Sequence, residues 1–250
     1  MNLGFWRGIK TVPPNFGSLI DYRTKIRNLF GSSVIAYWEL AEAGGAIAVD
    51  FVNGRNGSYV GADAGVGSSQ TGKLSPFFDG TNDYVNIYSA ALASAFNGEI
   101  GSFLIKAKVS NISDWNDSTT REMVRILADG NNFLSIQKTT VQNNVQFRHR
   151  AAGQAAATVS TNITPLSSWI SLAMTWDRAA NEMKAFFNGA QLGTTQAMSG
   201  TWSGAPAAAT TLLGSATQTP TAQWKGYLSD AILLNRVATI SEISAFSGNY

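Results

Sequence analysis

The sequence predicts an all-β protein, a two-sheet antiparallel β-sandwich of the jelly-roll kind preceded by an extended N-terminal arm and a short helix. Three observations carry that expectation. Short apolar runs recur in which every second residue is apolar. Glycine, asparagine and other turn formers separate them, with 24 glycines in 250 residues. No helical segments alternate with these runs, which excludes a doubly wound α/β fold. The 44% hydrophobic and 14% charged content fits an ordered globular chain, long enough for one large sandwich with a well-buried core.

Residues 1–33 read as a separate basic arm and helix. Pro13 and Pro14 hold the backbone extended and forbid a continuous helix there. Phe5, Trp6 and Phe16 are aromatic anchors that must bury against this chain's body or a neighbour. Ser18 followed by Asp21 resembles a capping box, and Leu19, Tyr22, Ile26, Leu29 and Phe30 then recur at roughly helical spacing before Gly31. Arg7, Lys10, Arg23, Lys25 and Arg27 face only Asp21, so the first thirty residues carry +4 and the remainder −2. Such an arm either meets an acidic surface or is a solvated basic terminus.

The sandwich is expected over 34–250. In the run GSFLIKAKVS, Phe103, Ile105, Ala107 and Val109 share one face and Lys106 and Lys108 the other. Similar runs are Val34–Leu40, Tyr84–Tyr88, Met123–Ala128, Phe133–Lys138, Val145–Arg150, Trp169–Trp176, Met183–Phe187 and Tyr227–Leu234. Asn143-Asn144 and Asn188-Gly189 are placed as hairpin turns. Ile240–Phe246 is the late helix, starting near Ser241 with Glu242 in its first turn. Trp38, Trp169 and Trp176 fall within strand runs and are expected in the core.

Several motifs, in order, resemble the laminin G-like, concanavalin A-like lectin/glucanase jelly-roll family. They are AYWEL (36–40), VDFVNGRNGSYVG (49–61), FFDGTNDYVNI (77–87), the paired strands and Asn-Gly hairpin of 169–194, and the closing strand and helix of 224–243. The resemblance covers about 34–246 and implies the fold, while the functions of that family are varied. In overall style the basic helical lead-in, DYRTKIRNLFGSSVIAYWEL, joined to such a sandwich also resembles structural proteins of tailed bacteriophages. That implies a virion or extracellular-surface location, with the arm joining a homo-oligomer or a particle protein. Met1–Lys10 has no secretory-signal apolar stretch, and a virion released by lysis would supply another exit.

The candidate chemistry points to binding, and the chain is expected not to be an enzyme. Glycosidases need two carboxylates held about 5–10 Å apart. The Glu-x-Asp-x-x-Glu strand arrangement is absent, and Asp230 is the one acid of the closing strand. His149 has no adjacent nucleophile or ligand cluster and is expected to point outward, and the chain has no cysteine. The resemblance implies a rim calcium held by Asp50, Asn53 and Asp230, oxygen ligands of the hard type calcium takes. Otherwise Asp50 ends a strand and Asp230 makes a turn. Trp115, Trp202 and Tyr88 lie in or beside polar loops and are either sugar-stacking residues or loop anchors. The arm's charge lacks the strand aromatics of a nucleic-acid module, and no run approaches the roughly 18 apolar residues of a membrane span. The expected role is a structural or attachment protein displaying a domain that binds surface glycans. The alternative is a stand-alone carbohydrate-binding module.

Overall fold

Sixteen strands and three helices account for the residues described by the computed structural model, 16–219 and 221–248. Helix α1 (Phe16–Phe30) runs through a 3-10 turn into β1 (Val34–Trp38), followed by β2 (Ile47–Ala48), β3 (Gly57–Val60), β4 (Asp63–Ser68), β5 (Leu74–Asp79) and β6 (Tyr84–Asn86). After α2 (Ala90–Ala95) come β7 (Ile100–Val109), β8 (Arg121–Asp129), β9 (Asn132–Lys138), β10 (Asn144–Arg150), β11 (Ala157–Asn162) and β12 (Ile170–Asp177). The chain closes with β13 (Glu182–Phe187), β14 (Ala190–Gln196), β15 (Thr211–Leu213), β16 (Lys225–Leu234) and α3 (Ile240–Ser247).

The first sheet has the order β14-β13-β12-β7-β16-β5-β4, with β1 also on β16, and the second is β11-β10-β9-β8-β15-β6-β3-β2. Ladders within both are antiparallel, as a jelly roll requires. Strand alternation sends Phe103, Ile105 and Ala107 of β7 inward to meet Ile126, Ile136 and Phe147 of the second sheet. Trp38, Trp115, Trp176 and Trp224 are fully buried in the same core. The expected hairpin is present: Asn188 (φ 48°) and Gly189 (φ 83°) join β13 to β14 in the left-handed geometry that favours Asn-Gly.

A second apolar cluster lies on the outside of the first sheet. Tyr22, Ile26 and Phe30 of α1 and Ile243 and Phe246 of α3 pack on Tyr37, Leu104, Phe186 and Ile232. Helix α1 thus packs on the sandwich, its apolar stripe covering a sheet face. Ser18 lies inside α1, which begins at Phe16, so it is not the N-cap expected of it. Phe5, Trp6, Arg7 and Lys10 lie outside the described residues. No described helix is long and apolar enough to cross a membrane.

Two further expectations are corrected. His149 points inward and is 2% exposed; its ring lies between Trp176 and Trp202, with Nε2 2.8 Å from the Gly98 carbonyl oxygen. The alternation of β10 puts it in register with Val145 and Phe147, and burial lowers the imidazole pKa. Trp169 precedes β12 and stays partly exposed, its Nε1 donating to the Ser68 carbonyl at 3.0 Å.

Candidate functional site

The residues nominated as sugar-stacking groups do not meet. Trp115 has no exposed surface; its indole packs edge-on to Trp224 and donates to the Leu166 carbonyl at 3.0 Å, so it anchors its polar loop. Trp202 is half-buried over Gly98, beside Phe96 and His149, and donates to the Gly204 carbonyl. Tyr88 is half-buried after β6. Trp115 follows the C-terminal end of β7 and Trp202 packs just before its N-terminal end, so ten strand residues, about 30 Å, separate them.

Nor do the calcium candidates converge. The Asp50 carboxylate accepts four backbone N–H groups: Tyr37 and Val52 on Oδ1 at 2.9 and 3.0 Å, Asn53 and Arg55 on Oδ2 at 3.1 and 2.9 Å. Its lone pairs are thereby filled, and it pins the β1-to-β3 connection. The Asn53 amide donates to the Val34 and Ile35 carbonyls. Asp230 lies at the far end of Tyr37, accepting its hydroxyl at 2.8 Å and that of Ser229 at 2.9 Å. Among the described residues no group of three His, Cys, Asp or Glu side chains is placed to hold a metal.

Asp230 belongs instead to a charge cluster beneath α1. A bulge in the β16–β7 pairing gives it φ 51°, tolerable for aspartate, and turns it toward Lys73, whose Nζ is 3.7 Å away. Glu39 accepts Arg23 of α1 through two bonds of 2.8 and 2.6 Å and also pairs with Lys73. Lys106 Nζ has no acceptor among the described residues and faces the rings of Phe246 and Tyr22 at 5.2 and 5.5 Å; burial lowers its pKa.

The outer face of the second sheet differs: no described helix covers it. Pairing registers align its outward side chains in a row running Ser58, Asn86, Leu212, Arg125, Ser135, Arg148 and Thr158. An adjacent row carries Glu122, Gln137, Gln146 and Ser160, with Gln137 Nε2 donating to Gln146 Oε1 at 2.8 Å. Glu122 is 1% exposed and Ser135 fully buried, yet Glu122 Oε2, Ser135 Oγ and Arg125 Nε have no hydrogen-bond partner among the described residues. Buried polar atoms are paired in the great majority of folded proteins, so three unpaired ones in neighbouring rows set this face apart from the first sheet's charge cluster. Burial pushes the Glu122 carboxyl up to about 7, with Arg125 and Arg148 pulling it part of the way back. Beneath the two guanidiniums lies Phe133, whose ring centroid is 5.4 Å from the Arg125 Cζ and 4.7 Å from that of Arg148. Beside Arg148 and Arg150 the turn through Gly153–Ala156 borders a depression of about 270 Å³.

A second depression, about 350 Å³, is lined by Trp169, Gln70, Asn188, Ser244 and Ser247. Two of its polar groups are engaged within the fold: Asn188 Oδ1 accepts from the Ser171 N–H and Ser247 Oγ bonds Ser171 Oγ.

Sequence reasoning missed the outer face of the second sheet. The available signal was charge at alternate positions of one strand, Arg148 and Arg150, and at Glu122 and Arg125 of another, within a chain only 14% charged.

The model of the laminin G-like family described as the concanavalin A-like lectin/glucanases superfamily matches residues 109–244. Among curated proteins, none matches the sequence. Solved structures match over most of the chain at low identity. The sialidase module CBM40 of Ruminococcus gnavus, bound to α2,3 sialyllactose, is 17% identical with a TM-score of 0.56 over 70% of this chain and 97% of that one. Domain 4 of an extracellular arabinanase of Geobacillus stearothermophilus, in complex with arabinotriose, is 14% identical with a TM-score of 0.60 over 86% and 98%. The binding domain of botulinum neurotoxin serotype D is 12% identical with a TM-score of 0.64 over 87% of this chain, which spans about half of it, 51%. At these identities the likeness is one of fold.

Proposed function

The chain belongs to the concanavalin A-like lectin/glucanase superfamily, and from that premise we propose that it is a non-enzymatic glycan-binding domain using the uncovered outer face of its second sheet. The observation that carries this reading is the pair of half-buried guanidiniums on that face, Arg125 and Arg148, both set over the Phe133 ring beside the depression at Gly153–Ala156. A sugar presents hydroxyl donors and acceptors at the spacing such groups need, and strands hold them more rigidly than loops do. Glu122 is the one carboxylate in these rows, whereas glycoside hydrolysis ordinarily takes two, which favours binding over turnover. The carbohydrate-bound modules similar in fold support the same reading, and near-complete coverage of two of them favours a binding module.

Display of this domain on a virion or other extracellular surface is a further part of the proposal. Phe5, Trp6, Arg7 and Lys10, leading into Phe16, would fasten it to a second copy or a particle protein, the mixture of apolar anchors and charge that interfaces enrich. Deleting residues 1–15 is then expected to abolish assembly in sedimentation while the melting transition stays intact, and assembly that survives the deletion removes this part.

A glycan microarray tests the main reading. Binding is expected for the wild type and for Trp202→Ala, and is expected to vanish in Thr158→Trp, which places an indole at the end of the polar row. Loss in Trp202→Ala with retention in Thr158→Trp would move the site to the 198–207 loop.

A further inference from the structure

We propose that the glycan taken by this face is acidic, its carboxylate held between Arg148 of β10 and Arg125 of β8; this rests on the glycan-binding reading above and narrows it. The register places both cations in one row, two strands apart, with Ser135 of β9 between them. What sets them apart is how the chain uses its other arginines. Arg150, two residues along the same strand, donates to the carbonyls of Gln154, Gly130 and Gly153 at 3.0, 3.2 and 2.9 Å and so fixes the turn beside the depression. Arg236 grips Glu242 with two bonds of 2.8 and 2.6 Å, and Arg23 grips Glu39 in the same way.

Arg148 has no hydrogen-bond acceptor among the described residues; its guanidinium rests over the Phe133 ring. Arg125 has a single long contact, Nη1 to Glu122 Oε1 at 3.5 Å, and its Nε is buried and unpaired. Two half-buried guanidiniums with unspent donors, both held against one ring, are preorganised for an acceptor that comes from outside. Their planar forks match a carboxylate in two parallel bonds. Charge points the same way: Arg125, Arg148 and Arg150 face the single carboxyl of Glu122, so this patch is net positive and an anion is the ligand that balances it. The depression beside Arg148, lined by Arg150, Gly153 and Gln154, leaves room for the sugar ring that carries the acid.

The test is calorimetric titration of the full chain with sialyllactose and with a galacturonic-acid trisaccharide, against lactose, carboxyl-reduced sialyllactose and a sulfated lactose. Carboxylate probes are expected to bind, and Arg148→Gln and Arg125→Gln each to weaken them by about tenfold or more with unchanged melting temperature. Lys108→Gln, on the other sheet, is the control and should change nothing. Neutral sugars binding as well as the acids, or sulfated lactose binding alone, would overturn the carboxylate assignment while leaving glycan binding in place. Equal losses in the Lys108 control would reduce the effect to diffuse charge and overturn it too. If none of the sugars binds, the glycan reading itself falls with it.

Discussion

The two sheets of this sandwich each carry a patch of charge on the outer face, and the patches have had opposite fates. On the first sheet Glu39, Asp230, Lys73 and Lys106 lie under α1 and α3, and the carboxylates are met by Arg23, Lys73 and the Tyr37 hydroxyl. On the second, no described helix covers Glu122, Arg125, Ser135 and Arg148, and the contacts among them are long or missing among the described residues. Composition alone does not separate the patches, since each mixes acids with cations at low exposure. What separates them is how the carboxylates are met: Glu39 and Asp230 are paired by described residues, Glu122 Oε2 is not, and Lys106 Nζ is the unpaired atom of the first cluster. Paired carboxylates belong to folding, and on the glycan-binding proposal the face around Glu122 serves recognition.

Substitutions can break that contrast, beginning where the effect is largest. Glu39→Gln should destabilise the protein by about 2–4 kcal/mol in urea denaturation, because buried Lys73 is left with only its longer 3.7 Å contact to Asp230. A loss under about 1 kcal/mol would put the roofed cluster on the same footing as the open one. Ile26→Ala should cost about 2–5 kcal/mol through the cavity it opens beneath α1, while truncation of residues 1–15 should leave the transition in place.

The Glu122 carboxyl supplies a pH signature for the open face. Its folded pKa, about 7, lies above the ordinary carboxylate value, so the folded state holds its proton more tightly than the unfolded chain. Stability from this group is full at low pH and declines as pH rises through about 7, by up to about 3 kcal/mol. His149, with its pKa lowered, works in the opposite direction at lower pH, so the comparison is with Glu122→Gln, in which the decline should disappear. If wild type and Glu122→Gln follow the same curve between about pH 5 and 8, Glu122 is not the buried acid described here.

Smaller effects sharpen the contrast further. Ser135→Ala should be neutral or stabilising by up to about 1 kcal/mol in urea denaturation, since the hydroxyl it removes has no partner among the described residues. Calcium should leave the melting temperature unmoved, because Asp50 is filled by backbone donors. A calcium-dependent rise that vanishes in Asp50→Asn would restore a metal to that rim.

The fold was largely legible because strand alternation is written residue by residue. The run expected at Val145–Arg150 is β10 from Asn144, the closing strand differs by two residues at its start, and the late helix by one at its end. Weaker stretches escaped notice: β4, DAGVGS, and β14, AQLGTTQ, are edge strands with little apolar content because little of them is buried. The site was hardly legible. Polarity of the loop around Trp115 said nothing about where its indole turns, and a ring of that size finds the core. His149 was misjudged because its polar chemistry outweighed its parity with Phe147. Arg125 and Arg148 lie 23 positions apart and become a pair only through β9, a long-range register that no local pattern encodes.

That register has a consequence for how such a surface can change over generations. Neighbouring strands are spaced at about 4.8 Å by backbone bonds in which side chains take no part. The row from Ser58 to Thr158 therefore behaves as a fixed grid: exchanging the residue at any node alters the chemistry offered there and leaves the pitch untouched. On the glycan-binding proposal, a new ligand preference needs only a single substitution on the face that no described helix covers, whereas a change at Glu39, Lys73 or Arg23 on the other sheet breaks an ion pair.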